Sequence, residues 1–62
     1  MINTRYKKLT GIHAGRVYIV VAPYSEVENP IRWMLHCVND GSQIQIVSEG
    51  DLSDPKLWQH FP

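Results

Sequence analysis

The chain reads as a small all-β barrel of four or five antiparallel strands with a short C-terminal helical turn, in a single domain spanning residues 1–62. Three features point there. Residues 16–22, RVYIVVA, are dominated by β-branched and aromatic side chains and bounded by Gly15 and Pro23. Residues 31–48 alternate apolar and polar around Asp40-Gly41, a dipeptide suited to the positive φ angles of a two-residue type I′ turn. Ser53-Asp54-Pro55 has the chemistry of a helix start, a capping residue with proline at the first helical position.

Taken along the chain, RYKKL at 5–9 supplies a short first strand with Tyr6 and Lys8 on one side. In the second, Val17, Ile19 and Val21 project one way and Tyr18, Val20 and Ala22 the other. Both faces are apolar, so this strand is central in a closed barrel or covered by another element or subunit. A two-residue turn at Asp40-Gly41 pairs Asn39 with Ser42, Cys37 with Ile44, Leu35 with Ile46 and Trp33 with Ser48, giving an apolar face. The opposite face pairs Val38 with Gln43, His36 with Gln45 and Met34 with Val47, beside Arg32. YSEVENP at 24–30 is too polar for the core and reads as a surface loop. The KLWQHFP tail forms one or two helical turns that lay Leu57, Trp58 and Phe61 over the open end of the sheet.

Six Lys/Arg against six Asp/Glu give zero formal charge, which removes the strong basic excess of a generic nucleic-acid binder. The neutrality is uneven. Arg5, Lys7, Lys8 and Arg16 stand without an acid in residues 1–20, while all six acids lie in 21–62 with Arg32 and Lys56. This asymmetry is either a solvated surface or a basic edge for an acidic partner or a phosphate backbone. Cys37 is the only cysteine, so no disulfide forms within the chain, which fits a reducing compartment. No apolar stretch reaches the ~20 residues of a membrane span, and MINTRYKKL lacks the apolar core of a signal peptide, so a cytoplasmic location is expected.

GRVYIVV, a polar loop, a Trp-containing strand, a tight turn, another short strand and Gly50-Asp51-Leu52 together resemble SH3-like small barrels over most of the chain. The resemblance implies a fold that hosts peptide binders, nucleic-acid binders, inhibitors and at least one enzyme family, so a site must decide among them.

No catalytic residues are expected. His36 and Cys37 are neighbours in a strand and point to opposite faces, so they cannot form a thiol–imidazole pair. Cys37 reads as a small buried hydrophobe. His13, His36, Cys37 and His60 lack the paired spacings of a zinc site, and no cofactor motif is present. Trp33, on the apolar face of the hairpin, reads as core, while Trp58 fits a core or a recognition surface alike.

The expected function is therefore a non-enzymatic protein-interaction module, plausibly self-associating, since two-faced strands in so short a chain leave apolar surface to cover. In size and fold it resembles the accessory or inhibitor proteins of phages and plasmids. Its partner-binding residues are read as Trp58 and Phe61 for apolar anchors, Arg32, His36 and Gln45 for polar orienters, and Tyr24, Glu26 and Glu28 for the rim. One alternative is a nucleic-acid-binding barrel using Arg5, Tyr6, Lys7, Lys8, Arg16 and Tyr18, with the aromatics stacking bases and the cations holding phosphates. The other rests on Gly41-Ser42-Gln43-Ile44-Gln45-Ile46-Val47 followed by Leu52, which is similar to the Gly-Ser-Val-Gln-Ile-Tyr stretch of plasmid-borne type II dihydrofolate reductases. That resemblance implies a homotetramer whose Gln-Ile-Tyr triplets line a pore for folate and NADPH; Gln45 and Ile46 match, and Val47 replaces the tyrosine.

Overall fold

A computed structural model of the protein describes residues 2–25 and 31–62. Glu26 and Glu28, with most of the expected surface loop, lie outside the described residues. The strands are β1 (Arg5–Lys8), β2 (Val17–Ser25), β3 (Arg32–Cys37), β4 (Ile44–Ser48) and β5 (Trp58–His60), with one short helix, α1 (Glu49–Leu52), between β4 and β5. They form a single antiparallel sheet in the order β4-β3-β2-β1-β5, curled into a half-barrel.

β2 binds the sheet together because it pairs on both sides, with β1 and with β3. It does not stop at Pro23, as its sequence suggests, but runs through it to Ser25. Pro23 is tolerated because the β2–β3 register shifts on either side of it, between Val20 and Ala22 and again between Pro23 and Ser25. Such bulges also bend a strand and raise its twist, which curls the sheet. The β1–β2 connection turns at Gly11 and Gly15, with φ of 81° and 93°, and is tied by Gly15 N–H donating to the Lys8 carbonyl at 2.8 Å.

The core lies on the concave side. Tyr18, Val20, Leu35, Cys37, Val47, Leu52 and Trp58 are buried there, with Tyr6, Trp33 and Leu57 packed against them. Trp58 meets Tyr18 edge to face, with ring centroids 5.6 Å apart and planes at 81°.

The β3–β4 hairpin departs from the expected register by one residue. Leu35 faces Gln45, Met34 faces Ile46 and Trp33 faces Val47. Neither Asp40 nor Gly41 takes a positive φ, so the turn is not type I′. Instead Asp40 Oδ1 accepts from the Ser42 hydroxyl at 2.6 Å and the Ser42 N–H at 3.1 Å. A longer loop then closes where Cys37 N–H donates to the Gln43 carbonyl at 3.0 Å. Because side chains alternate, the shift turns Val47, Gln45 and Gln43 toward the core side and Ile44 and Ile46 outward.

The tail differs as well. The helix forms upstream, capped by the Ser48 hydroxyl, which accepts from Asp51 N–H at 3.2 Å. Ser53-Asp54-Pro55 starts only one turn, in which the Asp54 carbonyl accepts from Leu57 N–H at 3.0 Å and Trp58 N–H at 3.1 Å. Beyond it the chain extends as β5. The free edge of β1 offers hydrogen bonds that a two-turn helix would forgo: Leu9 N–H to the Leu57 carbonyl at 3.0 Å and Phe61 N–H to the Arg5 carbonyl at 2.8 Å.

The register makes a paired prediction. Val47→Thr places a hydroxyl in the core and costs about 1–3 kcal/mol, whereas Ile46→Thr on the outer face stays within about 0.5 kcal/mol. Urea unfolding of both variants in dilute solution checks it, and the expected two-residue turn would reverse their order. Asp40 adds a pH dependence. The hydrogen bonds from the Ser42 hydroxyl and N–H, aided by Arg16, hold its carboxyl below the usual carboxylate range. A carboxyl with a depressed folded pKa stabilises fully above its unfolded pKa, and that contribution disappears as pH falls through the folded value. Asp40→Asn is therefore expected to reduce the loss of urea stability across that acid range.

Candidate functional site

A groove of about 450 Å³ opens where β1 and β5 face the turn after α1, lined by Tyr6, Leu9, Leu52, Ser53, Pro55, Trp58, Gln59 and His60. Register explains why these side chains converge. Tyr6 pairs with His60 and Lys8 with Trp58, so those four project from the same face of the β1–β5 ladder. Tyr6 and His60 meet edge to face with centroids 5.6 Å apart at 68°. Leu52 is placed by the short helix and Pro55 by the single turn that follows it. Lys8 Nζ stands 4.7 Å from the centroid of the Trp58 ring, holding a cation against the indole.

The groove is thus aromatic and aliphatic, with a hydroxyl and an imidazole among its lining groups. That composition suits an apolar side chain oriented by a few polar contacts. Among the described residues no three His, Cys, Asp or Glu side chains gather as metal ligands.

The expected partner-binding residues do not form one surface. Trp58 is only 4% exposed and packs within its own chain, while Phe61 remains 40% exposed just past β5. Arg32 and His36 lie on the outer face of β3, with His36 between Ile19 and Ile44. Gln45, expected beside them, is on the core side opposite Leu35 because of the register shift. Tyr24 is exposed near the end of β2.

The alternative nucleic-acid set also divides. Arg5 and Lys7 alternate with Tyr6 and Lys8 along β1, so the four residues are shared between two faces. Arg16 is exposed before β2, and Tyr18 is fully buried, leaving no ring face there for a base. In the Gln45-Ile46-Val47 triplet, the first and third residues face the core side and Ile46 faces out.

Sequence reasoning missed Tyr6, Leu52, Pro55 and His60 as neighbours in a groove. The signal lies in pairing between the two ends of the chain, which no local pattern expresses. Comparison of the chain with protein families, with curated proteins and with solved structures finds no match.

Among the described residues the buried Tyr18 hydroxyl has no hydrogen-bond partner, nor has the Trp33 indole N–H. An unpaired buried hydroxyl carries a desolvation cost of about 1–3 kcal/mol. Tyr18→Phe is accordingly expected to hold or raise stability, by up to about 1 kcal/mol. A lower urea midpoint in that variant would reveal a bond the hydroxyl makes.

Proposed function

We propose that this protein is a non-enzymatic protein-interaction module that holds an apolar side chain of a partner protein in the groove between β1, β5 and the turn after α1. The observation that carries the reading is the groove itself: Leu52 and Trp58 are nearly buried at its base, and Tyr6, Pro55 and His60 line it with rings. Aromatic rings provide large contact area at low entropic cost, which is why they anchor protein interfaces. Lys8 against Trp58 adds a fixed cation, favouring a partner segment with a carboxylate beside its apolar anchor.

The same reading takes the half-barrel as an SH3-like one. Support comes from five short antiparallel strands, a hairpin, a longer β2–β3 connection and a helical turn before the last strand. Small size and a surface given to binding fit an accessory or inhibitor protein of the kind phages and plasmids encode. The single thiol, Cys37, fits a cytoplasmic setting. No helix among the described residues is long and apolar enough to cross a membrane.

Selection of a displayed random peptide library against the protein tests the reading. Enriched peptides are expected to share an apolar anchor. They should bind Ser53→Arg and His60→Ala at least about tenfold more weakly, a loss of about 1.4 kcal/mol. Both positions are exposed, so the folded state survives the changes. Peptides indifferent to both substitutions would place recognition elsewhere.

A further inference from the structure

β4 is an edge strand, and among the described residues its outer edge is open. Cys37 N–H donates to the Gln43 carbonyl at 3.0 Å and Glu49 N–H to the Ile31 carbonyl at 2.8 Å, so these pairs bracket the β3–β4 ladder. Hydrogen-bonded pairs alternate along an antiparallel ladder. Gln45 and Val47 therefore also bond toward β3, and the N–H and C=O groups of Ile44 and Ile46, with the Ser48 N–H, point the other way, while the Ser48 carbonyl is taken up by the first turn of α1. Among the described residues no strand pairs with them.

The side chains along this edge are equally uncovered. Ile44 is 49% exposed and Ile46 43%, on the convex face beside His36 and Met34. Proteins commonly protect such edges with lysine, proline or a bulge. Ile44–Ser48 has no charged residue, no proline and an unbroken register.

We propose that a second copy of this chain pairs with β4 antiparallel across a two-fold axis at Ile46, joining two five-stranded sheets into one. The strand is complementary to itself in that register. Ile46 meets Ile46 of the second copy and Ile44 meets Ser48. The outer-face row of Ala22, Met34 and Ile46 then continues into the same row of the second copy, reversed. No charged residue stands between Ile44 and Ser48, so no like charges oppose one another along the seam.

The seam is short. Its five residues span about 17 Å of strand and supply about four backbone hydrogen bonds. That places the dimer at the small end of specific interfaces, below the usual ~800 Å² per partner, so monomer and dimer exchange with concentration. The seam uses none of the residues that line the groove, and either proposal can fail without the other.

Mass measured by sedimentation from about 1 μM to about 1 mM is expected to rise from one chain to two and to stop there. Ile46→Lys should remain one chain throughout, with the circular dichroism of the dilute wild type. Ile46→Cys with oxidised glutathione tests the axis, since paired Cα atoms about 5.5 Å apart fall within disulfide reach. That variant should yield a covalent dimer, whereas Ile12→Cys, 93% exposed in the β1–β2 connection, should not. The buried Cys37 of the wild type serves as the thiol control. A single chain at every concentration, growth beyond two chains, a dimer indifferent to Ile46→Lys, or equal coupling at positions 12 and 46 would each overturn the proposal.

Discussion

Cys37 N–H reaches the Gln43 carbonyl at 3.0 Å, and this contact at the base of the hairpin decides which side of β4 enters the core. Because a strand repeats every two residues, a register has only two outcomes for its faces. The observed one buries Val47 and half-buries Gln45, and it leaves two isoleucines on the convex surface. The composition of the core, the separation of Gln45 from Arg32 and His36, and the apolar open edge all descend from it. The determinant is polar and local: the Asp40 carboxylate gathers the hydroxyl and N–H of Ser42, which shapes the loop so that the strands meet at Cys37 and Gln43.

The core that results is economical. In a domain of this size, about 40% of the surface the unfolded chain exposes stays in contact with solvent after folding. Large rings therefore serve more than one role. Trp58 packs against Tyr18, closes the concave side and forms part of the groove beneath Lys8. The groove is built on the core itself, which makes it rigid and couples recognition to stability. Substitutions at Ser53 or His60 separate the two roles, and truncating Trp58 does not.

Sequence patterns carried the strands well where chemistry was local. The β-branched run at Val17–Ala22 is the central strand, the apolar alternation of β3 sends Leu35 and Cys37 inward, and RYKKL contributes β1. The β4 face is not legible because Asp40-Gly41 is compatible with several turns, and composition does not show that the local Asp40–Ser42 bonds displace the two-residue one. The tail was misjudged for a different reason. Ser53-Asp54-Pro55 does start a helical turn, but the free edge of β1 competes for Trp58–His60 and wins through hydrogen bonds made across almost the whole chain. The groove follows from that long-range pairing, and so it too was illegible locally.

The pairing of Tyr6 with His60 bears on how the molecule comes into being. β1 precedes the other strands in the chain and β5 follows them, so the half-barrel stays short of one edge strand and of Trp58 until synthesis has passed β5. Closing so long a loop costs entropy before it returns any contact, and chains dominated by such pairings fold slowly for their size. Until then the β2–β3–β4 meander stands with part of its core uncovered and with Ile44 and Ile46 at its margin. The growing sheet is thus most adhesive just before β5 emerges, and rapid docking of that strand guards against aggregation as much as it adds stability.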